Sequence, residues 1–212
     1  MADATYPFGW TKSGWRHLIL WSFALVAMTL GLLAIYGTGE DGNHAVIRWT
    51  ARTSLFAFLI SFITGPLVKR VRNDFTRKLM QARRYWGLSF FISHMVHLVF
   101  IILAFDTAVG YEQDPQGALI TLIGGGGAYV FITLMAITST NGWYKRLGAT
   151  NWRRLHLVGQ YYAWIIFAQS YAGRAFAGDD MPGNPLLGQL LLAVLVAALV
   201  FRLIPVAKNK RS

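Results

Sequence analysis

Long apolar stretches without a charged side chain alternate with short polar connections along the chain. Six such stretches cover residues 18–39, 53–68, 85–105, 117–144, 155–173 and 181–201. Because a helix needs about 20 apolar residues to cross the hydrocarbon core of a bilayer, each is predicted to be a membrane span. The second is short, but Arg48 and Arg52 can snorkel and extend it to about residue 46. The pattern predicts an all-α integral membrane protein, a bundle of six transmembrane helices.

We expect a single transmembrane domain over residues 1–212. The first stretch is too long for a secretory signal peptide and lacks a small-residue cleavage site, so it is expected to remain as a span. The longest connection, 69–84, has 16 residues and leaves no room for a folded domain. No glycine-rich nucleotide motif follows a predicted strand, so we expect no flavin or nicotinamide site in this chain.

The charged residues divide unevenly between the two sides of the predicted bundle. The segment before residue 18, the connections 69–84 and 145–154 and the tail after 201 hold 17 of the 20 Lys and Arg residues. They hold only two of the nine acidic residues. By the positive-inside rule, this basic side and both termini are predicted to be cytoplasmic. The net charge of +11 is therefore mostly a topology signal and needs no nucleic acid as a partner.

Composition limits the chemistry that the spans can perform. Only 14% of the residues are charged, against about a quarter in a typical soluble domain. The chain has no cysteine, which excludes zinc–thiolate, iron–sulfur and cysteine-nucleophile sites. The four glycines at 124–127 favour the close approach of a neighbouring helix, with a flat cofactor against bare backbone as the alternative.

Histidines are the candidate metal ligands within the spans. His94 and His97 are three residues apart and share one face of the third span, and His156 begins the fifth. Ionisable residues inside a membrane are functional candidates, and neutral imidazole suits haem iron in a helical bundle. The alternative is a neutral histidine that forms a hydrogen bond with a neighbouring helix. His17 and His44 are interpreted as ordinary interfacial histidines.

Two stretches of this sequence resemble a known family. They are "RRYWGLSFFISHMVHLVF" (83–100) and "AITSTNGWYKRLGATNWRRLHLVGQYY" (136–162). They resemble the ferric reductase-like transmembrane domain, in the stand-alone bacterial branch that includes the haem-binding membrane subunit of periplasmic methionine sulfoxide reductase. The resemblance covers about residues 47–173. It implies six helices in a bacterial inner membrane, b-type haem bound by histidines of the third and fifth spans, and outward electron transfer.

The resemblance assigns ligands that this sequence only partly retains. His97 matches the third-span ligand and His156 the first fifth-span ligand, but Gln169 stands where the family has a second histidine. At 1.5 Å per residue, His97 lies about 19 Å from Arg84 along its helix and His156 about 5 Å from Arg153, so they suit one haem poorly. His97 could bind an outer haem with Gln169, water or nothing opposite. Alternatively, His94 replaces His97, or the sites are relics. At most one haem b is expected.

Arg48 and Arg52 are further candidates for cofactor binding. They are four residues apart near the outer end of the second span, and a guanidinium pairs well with a haem propionate. The alternative is interfacial anchoring, or pairing with Asp106 and its neighbours.

Two classes of function follow. In the first, the chain is a haem b subunit that passes electrons from a separate cytoplasmic flavoprotein or a quinol to an outer acceptor. In the second, it is a non-catalytic accessory subunit of a larger membrane complex, with degraded haem sites. Membrane lipid is an expected partner in both. Gln169 favours the second class, and the three histidines favour the first.

Overall fold

The computed structural model describes residues 11–105, 114–176 and 184–205, and these ranges form helices joined by short turns, without a strand. In chain order the described helices are α1 (Lys12–Tyr36), α2 (Glu40–Arg70), α3 (Asp74–Leu103), α4 (Pro115–Ile137), α5 (Asn141–Phe176) and α6 (Pro185–Leu203). Each helix contains the main part of one predicted apolar stretch. The all-helical prediction is therefore confirmed for the described residues.

Five of these helices, all except α5, are long and apolar enough to cross a membrane. α5 covers 36 residues but is interrupted at Gly148, whose backbone is not helical (φ 73°, ψ 157°), and histidine, glutamine, tyrosine and arginine side chains are distributed along it. It packs against both α4 and α6. Length and composition thus support five candidate spans, and the sixth predicted span lies in this more polar helix.

The predicted basic connection at 69–84 is mostly helical rather than a loop. Only residues 71–73 lie outside a helix, because Asn73 begins α3 with a capping box. The Asn73 side chain accepts a hydrogen bond from the Thr76 N–H at 2.9 Å, and the Thr76 hydroxyl accepts one from the Asn73 N–H at 3.3 Å. Such reciprocal bonds satisfy backbone donors that the first helical turn leaves unpaired. The basic residues therefore project from helix ends.

Pro66 removes one backbone hydrogen bond from the interior of α2, because proline has no N–H to donate to the Phe62 carbonyl. Arg202 of α6 supplies a replacement donor: its Nη1 lies 2.6 Å from that carbonyl oxygen. The same guanidinium lies 4.3 Å from the centre of the Phe62 ring. The gap in α2 thus becomes an attachment point for α6.

The centre of the bundle is aromatic. The rings of Phe58 (α2), Phe90 (α3) and Phe167 (α5) lie 5.3–5.9 Å apart by centroid, and each of the three side chains is buried. On the outside, large apolar side chains such as Phe23 and Ile35 are 75% exposed. Apolar residues inside and outside together are typical of a bundle surrounded by lipid.

The glycine run on α4 is a helix-packing site, as the first of its two interpretations predicts. The Tyr162 hydroxyl of α5 donates a hydrogen bond to the Gly124 carbonyl at 3.1 Å. A Cβ atom at Gly127 would overlap that hydroxyl, whereas one at Gly125 or Gly126 would meet open space. Gly127 therefore permits the close approach of α5 to α4.

Candidate functional site

α2 orients the two adjacent histidines of α3. His97 Nδ1 lies 3.0 Å from the Ile47 carbonyl oxygen and 3.2 Å from Thr50 Oγ1. His94 Nδ1 lies 3.1 Å from Ser54 Oγ. The two imidazole centroids are 5.2 Å apart. The antiparallel packing of α2 and α3 thus gives each histidine its own partner, one helical turn apart.

These hydrogen bonds determine the tautomer of both histidines. A carbonyl oxygen only accepts, so the proton of neutral His97 is on Nδ1. The Ser54 hydroxyl donates to the Ala51 carbonyl at 2.8 Å, so its oxygen accepts from His94 Nδ1. A proton on Nδ1 leaves the lone pair on Nε2. Metal-binding histidines are commonly oriented in this way, through a hydrogen bond from the other ring nitrogen.

Aromatic side chains from three helices surround His94. The centroids of Tyr129, Phe90 and Phe167 lie 4.9, 5.4 and 5.8 Å from that of His94. The Tyr129 hydroxyl oxygen is buried and has no hydrogen-bond partner among the described residues. An unpaired buried hydroxyl costs about 1–3 kcal/mol, so it is available to a polar group of a bound molecule.

Three arginines lie at this end of the bundle, which we call the outer end. Arg48 follows Ile47, the residue whose carbonyl binds His97, and Arg52 lies over the Trp49 ring at 5.1 Å. Arg174 of α5 lies within electrostatic range of His97. None of the three forms an ion pair with a described residue, and Asp106, the predicted partner, lies outside the described ranges.

His156 lies apart from the His94–His97 pair, towards the basic ends of the helices. Its Nε2 is 3.2 Å from Thr138 Oγ1. The Thr138 hydroxyl donates to the Leu134 carbonyl at 2.7 Å, so it accepts from His156, whose proton is therefore on Nε2. The ring also stacks on Trp152 at 4.1 Å. Nε2, which has an available lone pair in His94 and His97, therefore carries the proton in His156 and donates it to Thr138.

Gln169 is exposed on α5. The buried stripe of this helix includes Ala163, Phe167 and Tyr171, at intervals of four residues. Gln169 falls midway between Phe167 and Tyr171 and therefore projects from a different face. Phe167, rather than Gln169, contacts His94 from α5.

A cavity of about 830 Å³ lies between the basic ends of the helices; we call it the inner cavity. Its apolar wall includes Phe58, Phe90, Ile132 and Met135. Its charged wall consists of six cationic side chains: Lys69, Arg70, Arg83, Arg84, Arg153 and Arg202. His156 and Gln160 also line it, and no carboxylate does so among the described residues.

Comparison with known proteins yields relatives that share one name. The chain is 32% identical over 151 residues to the protein-methionine-sulfoxide reductase heme-binding subunit MsrQ of Xanthomonas campestris, an alignment that covers 69% of this chain and 67% of that protein. This chain belongs to the MsrQ family. The MsrQ of Herminiimonas arsenicoxydans is 25% identical over 186 residues, 84% of this chain and 82% of the relative. No protein-family model and no solved structure matches the chain.

Membership of the MsrQ family confirms the closer part of the resemblance found in the motifs at 83–100 and 136–162. The wider likeness to ferric reductase-like domains remains a prediction, because no family model matches.

Several residues of the site escape sequence reasoning. The sequence singles out His94 and His97 but neither Ser54, which binds His94, nor Tyr129 with its unpaired hydroxyl. The sequence does carry a signal for Ser54: Thr50 and Ser54 are hydroxyl residues four apart and share one face of the second span, as His94 and His97, three apart, share one face of the third. The inner cavity has no such signal, because its lining comes from five helices.

Proposed function

We propose that this member of the MsrQ family is a haem b-binding subunit that transfers electrons across a bacterial inner membrane. The donor is a separate cytoplasmic flavoprotein or a quinol, and the acceptor is an enzyme on the outer side. The relatives' name, heme-binding subunit of a protein-methionine-sulfoxide reductase, supports both the cofactor and the class of acceptor. The observation that carries the proposal is the available Nε2 lone pair of His94 and His97.

The residues at the outer end fit a haem. His97 is the proposed iron ligand, because the Ile47 carbonyl orients it and leaves Nε2 available. His94 is the alternative ligand, one turn further in. Arg48 and Arg52 are proposed to bind the propionates, since they form no ion pair with a described residue. When bound, the iron supplies a one-electron carrier, and the aromatic side chains around His94 exclude water.

We further propose that all six helices span the membrane and that both termini are cytoplasmic. α5 crosses because it packs against two candidate spans, α4 and α6, and its Tyr162 and Trp164 side chains donate hydrogen bonds to them. The basic helix ends then lie at the cytoplasmic surface and the histidine pair in the outer half of the bundle. This orientation follows from the distribution of Lys and Arg.

A second function, a non-catalytic accessory subunit, is favoured by two observations. Gln169 projects away from the core, and His156 donates its Nε2 proton to Thr138. Neither residue is therefore placed to supply a second iron ligand beside His97. In this alternative the histidines serve as hydrogen-bonding links between helices.

A haem assay on the purified full-length chain separates the two functions. Electron transfer requires a b-type visible spectrum and reduction of the haem by a reduced flavin or a quinol analogue. We expect at most one haem per chain by pyridine haemochrome. Protein that inserts, remains monodisperse and binds no haem when expressed with sufficient haem would establish the accessory function instead.

A further inference from the structure

We propose that the inner cavity is a binding site for an anionic phospholipid, whose phosphate lies against the arginines and whose acyl chains lie against the apolar wall. The assignment concerns a different end of the bundle from the histidine pair. It rests on the proposed orientation, in which this end lies at the cytoplasmic headgroup level, but on no property of the haem.

The positive charge of the cavity wall favours an anionic occupant. Six cationic side chains line it, and none of the described lining residues is acidic. Arg83 and Arg202 lie within electrostatic range of each other. Their hydrogen bonds go to neutral acceptors: Arg83 Nε to the Ser61 carbonyl at 2.9 Å and Arg202 Nη1 to the Phe62 carbonyl. Two guanidinium groups held close together attract an anion that accepts several hydrogen bonds, such as a phosphate.

The apolar wall favours an amphiphile over a small soluble anion as the occupant of the inner cavity. The cavity is far larger than a phosphate ion, and Phe58, Phe90, Ile132 and Met135 form part of its lining. Its rim includes side chains that are exposed on the outside of the bundle: Met80, Leu157, Leu203 and Ile204. A phospholipid has both the anionic group and the hydrocarbon that these two walls require. Basic pockets between helix ends on the cytoplasmic side are typical sites for such headgroups.

The chain offers a matched pair of variants for the test. Lys69 and Arg153 line the cavity and are exposed, whereas Arg72 and Arg154, close by in the sequence and also exposed, do not line it. The variants K69Q/R153Q and R72Q/R154Q therefore remove the same charge from the same surface. Neither touches the bonds of Arg83 or Arg202 to α2.

A second pair of variants, one that fills the cavity and one control, leaves the charge unchanged. Gly87 lines it, and a Cβ atom there would meet nothing within 4 Å. G87L therefore places a side chain in the proposed lipid volume. Gly31 on α1 has similarly open space but lies outside the cavity, so G31L is its control.

The experiment is native mass spectrometry of the delipidated full-length chain, titrated with phosphatidylglycerol or phosphatidylcholine. We expect one tightly bound phosphatidylglycerol, with phosphatidylcholine at least tenfold weaker. Since each basic side chain contributes a several-fold attraction to an anionic lipid, K69Q/R153Q should weaken binding about thirtyfold. G87L should also weaken it, and both controls should bind like the parent chain.

Three results would overturn the proposal. The first is equal binding of the two lipids, and the second is equal loss in K69Q/R153Q and its control. The third is tight binding of inorganic phosphate or flavin mononucleotide that depends on Lys69 and Arg153 and displaces the lipid, because the occupant would then be a soluble phosphate. None of these outcomes depends on whether His97 binds haem, so failure here leaves the proposed electron transfer untouched.

Discussion

The histidines of this chain differ in the atom that each imidazole leaves available. His97 donates Nδ1–H to a backbone carbonyl, whereas His156 donates Nε2–H to a threonine hydroxyl. We expect H97A to lose haem completely, because it removes the proposed iron ligand, and H156A to retain most of the haem. Pyridine haemochrome yield per chain measures both. H17A removes a histidine of α1 that forms a hydrogen bond with Ser89 of α3, and it serves as a control for general loss of folding. Complete haem loss in H156A with retention in H97A would exclude the outer site.

Ser54 distinguishes His94 from His97 as the iron ligand. It is the hydrogen-bond partner of His94 Nδ1, whereas the partner of His97 includes a backbone carbonyl that mutation cannot remove. Loss of the group that orients a ligand typically lowers metal affinity about 10–100-fold. With His97 as ligand, we expect S54A to leave haem affinity unchanged within about threefold. A loss of tenfold or more, measured by haem transfer to apomyoglobin, would assign the iron to His94.

Between helices, Arg202 is expected to stabilise the bundle by compensating for Pro66. R202M leaves the Phe62 carbonyl without a donor, and an unsatisfied buried acceptor costs about 1–3 kcal/mol. P66A restores a backbone N–H four residues after Phe62. The loss caused by R202M should therefore be smaller in the P66A background. A double-mutant cycle on the free energy of unfolding in detergent measures this coupling. Equal losses in both backgrounds would contradict the explanation.

The contact of α4 with α5 depends on one glycine of the four. G127A should destabilise the protein, since the added Cβ overlaps the Tyr162 hydroxyl, whereas G125A and G126A should not. Removal of the hydroxyl in Y162F relieves part of that overlap, so G127A should cost less in that background. Thermal unfolding of the parent chain, G125A, G126A, G127A, Y162F and the double variant G127A/Y162F in one detergent tests the order. A uniform effect across the glycines would indicate helix propensity rather than packing.

For the molecule as a whole, the proposed electron transfer would need a donor on the basic side. The sequence has no nucleotide-binding motif, and the basic helix ends suit an acidic protein or an anionic lipid. We expect the isolated chain not to oxidise NADH or NADPH, and activity to require an added flavoprotein, a quinol or a host complex. Steady NADH oxidation by the pure chain would contradict this. Protease accessibility of tags at both ends tests the accompanying topology, and tags on opposite faces would refute it.

Local sequence patterns were sufficient to predict the helices, to single out the candidate ligands and to indicate the family. Runs of apolar residues are local features of the sequence. Because such a run can satisfy its backbone hydrogen bonds within a bilayer by forming a helix, the positions of the helices follow from the local sequence alone. The motif at 136–162 is equally local, and the relatives confirm what it indicated. The loop expected at 69–84 was wrong, because the capping box at Asn73 begins α3 well before its apolar part. In the turn predicted at 145–154, the chain does leave the helical conformation at Gly148.

Pairings between distant residues were decided by the fold. Which nitrogen of His97 is available depends on Ile47, 50 residues away, and the exposure of Gln169 depends on which face of α5 meets the core. Arg202 reaches the Phe62 carbonyl from 140 residues further along the chain. The inner cavity combines side chains of five helices. Such features depend on the relative rotation and depth of whole helices, which side-chain packing sets and which no local pattern contains.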